Sequence, residues 1–262
     1  MNLPSVMLWA WERPEDLSSL DPRKAGVAFL AQTIEIRSPS GTGLGVSARP
    51  RLNSLRVPPG TKLMAVVRIE TPNDLWHRGD QLRPASTAEA PPYTVAQRER
   101  AAAVIAQSAR LPDVVAVQID FDAARSERGF YSALLTDVRR RLPARTPLSV
   151  TALASWCIGD PWLDDLPAGT IDEAVPMLFR MGPDTHRVAA LLQSGDDFRS
   201  QVCRGSLGVS TDEPFSEALL RGDALRNIRD WSGKRIYVFP GRTEWDKSAG
   251  RVVEEIGKWH GE

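Results

Sequence analysis

Short apolar, β-branched or aromatic runs recur at 5–11, 25–31, 63–69, 115–121, 147–153, 173–179, 206–211 and 235–239, each bounded by turn residues, and they predict eight strands. Between several of them the apolar positions take on a helical period, over 95–109, 127–142, 184–192 and 217–228. In the second of these, Phe130, Leu134, Leu135 and Val138 share one face. Strand followed by helix, repeated, with eight strands in a chain of 262 residues, predicts a single (β/α)8 TIM-type barrel domain over 1–262. The pattern breaks at 32–62, where TIEIR alternates, SGTGLG turns and VSARPRLNSLRVPPG is too rich in proline for a helix, so an inserted hairpin is expected there. The segment 80–93 reads as a loop after the third strand. A flavodoxin-like open sheet is the alternative, but it normally has about five or six strands.

The fourth strand carries the strongest chemical signal. In VVAVQIDFD (114–122), Val115, Val117, Ile119 and Phe121 lie on one face and Ala116, Gln118, Asp120 and Asp122 on the other. The apolar set must meet the helices, which turns Gln118, Asp120 and Asp122 inward, with both carboxylates at the C-terminal mouth where barrel active sites sit. Two adjacent carboxylates need partners or a task, and each raises the other's proton affinity. The alternative is structural: the acids cap the next helix or pair with a barrel arginine such as Arg68.

The seventh strand repeats the pattern in SLGVSTDEP, with Ser206, Gly208, Ser210 and Asp212 inward and Glu213 beside them. Asp212 or Glu213 then faces the fourth strand across the mouth, an arrangement that suits two carboxyl groups flanking a glycosidic bond. The alternative is that they start the following helix ahead of Pro214. Arg68 and Glu70 share a face of the third strand and extend the polar set. Of eight tryptophans, Trp9, Trp11, Trp156 and Trp245 fall at or beyond strand ends, where flat aromatic faces make platforms for sugar rings. Glu12 and Arg180 add polar contacts for such a ligand.

Composition narrows the classes. Thirty-three basic and thirty-three acidic side chains leave no net positive charge to hold a nucleic acid or an anionic membrane. No apolar run is long enough for a membrane span, which takes about 18 residues. Two cysteines and three histidines lack zinc-ligand spacing, so no cofactor or metal is expected. Cys157 should sit at the top of the barrel and Cys203 at the bottom, so they are expected to remain separate thiols. The first residues, MNLPSVMLWAW, lack a basic region and a cleavage site. The chain as given is therefore expected in the cytoplasm, or in the periplasm if it is the trimmed form of an exported precursor. The expected partner is an oligosaccharide or polysaccharide handled by a hydrolase. The alternatives are a non-catalytic carbohydrate-binding barrel and a metal-assisted hydrolase using Asp120, Asp122 and Asp212.

LWAWERPEDL, VVRIE, VQIDFDA, LSVTALASWC, DEAVPMLFRMG and GVSTDEP together resemble the bacterial domain of unknown function 3142 family, a resemblance that implies a barrel-like fold. QIDFD is also distantly similar to the DIDWE strand of the chitinase-like glycoside hydrolases of family 18. That resemblance implies Asp122 as general acid and Asp120 as the group orienting a substrate acetamido. Here Gln118 stands in place of that family's first Asp, Asp122 in place of Glu, and Phe179–Arg180 in place of Tyr–Asp.

Overall fold

The computed structural model describes residues 1–38, 43–71, 93–194, 196–213, 233–241, 245 and 249–257. Its strands are β1 (Val6–Ala10), β2 (Glu15–Asp16), β3 (Ala25–Ile36), β4 (Val46–Pro50), β5 (Leu55–Arg56), β6 (Leu63–Glu70), β7 (Val114–Asp120), β8 (Leu148–Leu153), β9 (Glu173–Met177), β10 (Ser206–Ser210) and β11 (Arg235–Phe239). The helices are α1 (Val95–Ser108), α2 (Arg128–Arg141), α3 (Ala154–Ile158), α4 (Thr185–Ser194) and α5 (Ala249–Gly257). Strands β1, β3, β6, β7, β8, β9, β10 and β11 pair in parallel in that order, and β1 closes the ring by pairing with both β3 and β11. The expected eight-stranded barrel is present, and all eight strands lie within a few residues of the apolar runs. The helix expected at 217–228 and all but Tyr93 of the loop expected at 80–93 lie outside the described residues.

The face assignments follow strand parity. Val117, Ile119 and Phe121 pack outward with Leu134, Leu135 and Val138 of α2 in the larger core cluster. A second, smaller cluster fills the barrel itself: Met7, Trp9, Ala28, Leu30, Met64, Val66, Ala116, Val175, Tyr237 and Phe239. Gly208 makes room for that filling, since a Cβ there would lie 3.1 Å from the Phe239 ring. At the start of α1, Thr94 Oγ1 accepts from the Gln97 amide at 3.2 Å and the Thr94 amide donates to Gln97 Oε1 at 2.8 Å, a reciprocal cap.

The break in the pattern at 32–62 is a hairpin of an unforeseen kind. Strand β1 pairs with β3 only over Ala25–Phe29, and β4 takes the same edge antiparallel over Gln32–Ile36. The hairpin therefore rises above the end of β1 at the C-terminal mouth. The rest of the segment returns to hold the loop after β1. Arg51 donates to the carbonyls of Trp11 and Arg13, Asn53 Nδ2 donates to the Glu12 carbonyl at 3.2 Å, and β5 pairs with β2.

The cysteines do not remain separate. Cys157 and Cys203 are bridged, with Cα atoms 5.9 Å apart. The expectation erred in height. Helix α3 begins at Ala154, directly after β8 ends at Leu153, so the chain leaves the mouth before reaching Cys157. The segment before β10 then meets α3, with the amides of Arg199 and Ser200 donating to the Cys157 carbonyl at 2.9 and 3.4 Å. The bridge closes a loop of 46 residues. Replacing both cysteines with alanine is expected to cost about 2–4 kcal/mol. Calorimetry should register this as a melting temperature lower by about 5–15 °C. An unchanged melting temperature would mean that the tie adds nothing to the folded state. Among the described residues no helix is long and apolar enough to cross a membrane.

Candidate functional site

The inward side chains of neighbouring strands form two polar layers. The lower one is buried except for Arg235, which is partly exposed. Gln118, Ser149 and Glu173 are register partners on β7, β8 and β9 and hydrogen-bond in sequence: Gln118 Nε2 donates to Ser149 Oγ at 3.0 Å, and Ser149 Oγ to Glu173 Oε2 at 3.0 Å. Trp9 Nε1 donates to Gln118 Oε1 at 3.1 Å. Tyr237 Oη donates to Glu173 Oε2 at 2.6 Å and Arg235 Nη1 to Glu173 Oε1 at 2.6 Å. Each polar group is satisfied, as a dry interior demands. Gln118 and Trp9, expected at a ligand, are thus part of the floor beneath the mouth.

The upper layer opens to solvent. Arg68 and Asp120 are register partners on β6 and β7, and Arg68 Nη1 lies 3.1 Å from Asp120 Oδ2. Thr151 Oγ1 on β8 donates to Asp120 Oδ1 at 2.8 Å, and Arg68 Nε stands 3.4 Å from Glu70 Oε1. Asp120 is therefore anchored rather than left facing a second carboxylate alone, so the structural alternative describes its contacts correctly. Asp122 lies two residues on, beyond the end of the strand, and is exposed. The sequence brought both acids to the mouth; in the structure Asp120 is buried and Asp122 is exposed.

Strand β10 is three places further round the wall. Ser210 Oγ donates to Asp212 Oδ1 at 2.5 Å, and Gly241 leaves room for Asp212, because a Cβ at 241 would lie 2.6 Å from the Asp212 Cβ. Arg180, three residues past the end of β9 and next to the partly exposed Phe179, reaches toward both acids, 3.7 Å from Asp212 Oδ2 and 3.9 Å from Glu213 Oε1. Its φ of 52° is one that residues other than glycine rarely adopt, a conformation kept where surrounding contacts require it.

The tryptophan cluster is corrected. Trp9, Trp156 and Trp245 are at most 1% exposed and present no open face. Trp9 lies one inward rung below Trp11, Trp156 belongs to α3 and packs against Trp162, and Trp245 Nε1 donates to the Trp9 carbonyl at 2.7 Å. Trp11 alone of the four is partly exposed. It stands edge-on to Trp9 at 4.4 Å, Trp9 meets Phe239 at 4.4 Å, and Phe239 meets the partly exposed Phe179 at 4.8 Å. An aromatic chain thus crosses the floor from β1 to β9, with Trp11 and Phe179 as its accessible ends. Glu12 is also partly exposed beside Trp11.

Sequence reasoning missed Thr151 and Tyr131, and noted Phe179 only as a departure from the family 18 pattern. Tyr131 of α2 meets Phe121 edge-on at 5.1 Å, and its buried hydroxyl has no hydrogen-bond partner among the described residues. Burial, and then the charges of Asp120 and Asp122, push its phenol well above the ordinary tyrosine value, so it stays protonated behind the acids. Tyr131→Phe removes a hydroxyl that makes no bond, and is expected to keep stability or raise it by up to about 1 kcal/mol. A denaturant midpoint that falls instead would show that the hydroxyl holds an acid in solution.

Among the described residues no group of three His, Cys, Asp or Glu side chains is placed to hold a metal ion, so the metal-assisted alternative finds no ligand set there. No protein-family model matches the chain, including the domain of unknown function 3142 that its motifs resemble, and no curated protein matches its sequence. Among solved structures, the chain is similar to a GH113 β-1,4-mannanase at 10% identity and a TM-score of 0.46, over 94% of this chain and 89% of that one. It is similar to the chitinase domain of the spore coat protein CotE from Clostridium difficile at 16% identity and a TM-score of 0.38, over 92% of this chain and 65% of that one. It is also similar to an endo-β-N-acetylglucosaminidase from Cordyceps militaris at 10% identity and a TM-score of 0.48, over 96% and 89% of the two chains. Overlaps this loose carry no argument about chemistry, which rests on the side chains themselves.

Proposed function

We propose that this barrel cleaves a glycosidic bond at its C-terminal mouth. Asp122 is the acid/base, and Asp120 is a positioning residue tied to Arg68 and Thr151. Asp212 or Glu213 is the second carboxylate, and Trp11 and Phe179 support the sugar. The observation that supports this best is the pairing of a presented carboxylate on one wall with two carboxylates on another, above an aromatic floor. Hydrolysis of this kind needs a proton donor at the leaving oxygen and a second carboxylate across the sugar. The resemblance of QIDFD to the family 18 strand fits the same assignment of Asp122 and Asp120.

One observation favours a second reading, a barrel that binds carbohydrate without cleaving it. Arg180 lies within 4.0 Å of both Asp212 and Glu213 and compensates the charge that the second carboxylate would use. Release of new reducing ends from a panel of β-linked oligosaccharides, followed by calorimetry with the same sugars, separates the two. Cleavage supports the first reading, saturable binding without cleavage the second, and neither binding nor cleavage overturns both.

A further inference from the structure

A second concavity lies beside the mouth, at the C-terminal ends of β7 and β8. It has a volume of about 420 Å3, and its wall includes Ala123 and Ala124, which directly follow Asp122. Its charged lining is Arg125, Arg128 and Arg187 against Asp160 and Asp184, one positive charge in excess.

These charges are not a random surface mixture. Arg128 holds Asp160 with both arms of its guanidinium, at 3.0 and 2.6 Å, and lies 5.7 Å over the Trp162 ring. The hydrogen bond from Arg128 holds the Asp160 carboxyl below its ordinary value, so the pair is fully charged at neutral pH. Arg128 Nε is buried and has no acceptor among the described residues. The other two arginines are engaged only loosely, Arg125 at 3.7 Å from Asp160 and Arg187 at 3.7 Å from Asp184, and both side chains are more than half exposed. Gly159 keeps the space for one of them: a Cβ at 159 would lie 2.3 Å from Arg187 Nη2. The backbone there is ordinary, with φ −118°, so it is the room for a guanidinium that this position requires and not a special conformation.

We propose that this cleft is an anion subsite for a singly charged oxyanion carried by a sugar ring, a uronate carboxylate or a sulfate ester. The proposal rests on the reading of the mouth as a carbohydrate site and names the class of glycan it takes. One uncompensated positive charge matches one negative charge, whereas a phosphate monoester brings nearly two. Two loosely paired guanidinium groups offer the fork geometry that planar and tetrahedral oxyanions accept. The nearness of Ala123 and Ala124 to Asp122 places the charged ring next to the bond to be cut.

The test measures binding by chemical-shift perturbation and uses no turnover. Glucuronate, glucose 6-sulfate and uncharged glucose are titrated into the intact protein, its Arg187→Gln variant and its Gly159→Ala variant. The alanine meets only the far end of a flexible side chain, so the fold is kept while Arg187 is displaced. At least one charged sugar is expected to bind more tightly than glucose, with shifts at 123–128 and 159–160. Both variants should weaken it by about tenfold or more. Added salt should weaken it too. Preference for glucuronate identifies a carboxylate, and preference for the sulfate ester a sulfated glycan. Equal binding of all three sugars, no binding, or binding unchanged in both variants overturns the proposal. Arg187 is outside the cleaving machinery, so a null result here leaves cleavage of neutral oligosaccharides intact, and a failure of cleavage leaves this binding result standing.

Discussion

Asp122→Asn is expected to lower turnover of a cleaved glycan by about 10²–10⁴-fold, the contribution typical of a positioned general acid. The same substitution should leave the melting temperature nearly unchanged, because an exposed, nearly isosteric change away from the core shifts stability by about 0.5 kcal/mol or less. Asp120→Asn makes the contrast. Its carboxylate is 6% exposed and accepts from Arg68 and Thr151, so the variant loses a charge-assisted bond worth about 1–3 kcal/mol along with part of the activity. Rate assays and thermal unfolding on the two variants, side by side, assign the roles. Full activity in Asp122→Asn removes that residue from the chemistry, and a marked loss of stability would place it in a structural role instead.

The largest loss of stability is expected at the floor. Glu173→Ala leaves the partly buried Arg235 without its counter-charge and withdraws an acceptor from Tyr237 and Ser149, both fully buried inside the barrel. Breaking a buried pair from one side costs about 3–5 kcal/mol. Melting should fall by about 6–20 °C at the sensitivity usual for a chain of this size. A double replacement, Glu173→Leu with Arg235→Met, removes both charges and should recover part of that loss. The same layer sets an alkaline limit. Burial, and then the Glu173 charge, push the Tyr237 phenol well above its ordinary value. Folding thus favours the protonated phenol. Its contribution is complete below the unfolded tyrosine value of about 10 and is lost as pH rises beyond it. Urea midpoints should therefore drop above that pH. A single-variant melting temperature equal to the wild type would show that the buried network carries no stability.

Strand parity made the barrel legible. A period of two over VVAVQIDFD orders Ile119 outward and Asp120 inward whatever the neighbours are, so the face of each side chain could be read without tertiary knowledge. What sits at one height across different strands could not. The partnership of Arg68 with Asp120, and of Thr151 with Asp120, depends on register between β6, β7 and β8, which no local pattern encodes. The same ignorance of height misled the tryptophan reading, since Trp9 and Trp11 share a face but only the upper one reaches the mouth. It also misled the cysteine reading, because α3 follows β8 with no intervening loop. Tyr131 was visible only as one more apolar position on α2, and its place behind two acids is a product of packing.

The bridge between Cys157 and Cys203 turns the chain between them into a covalent ring that contains all of β9 and α4. A protease that cuts once inside this ring releases no fragment, and the nicked protein migrates as one species until a reductant is added. The ring also ties the sturdier form of the barrel to its surroundings. Glutathione-rich compartments keep such pairs as dithiols, while extracytoplasmic ones let them close. The same polypeptide thus has a looser and a stapled version, and its durability depends on which side of a membrane it folds.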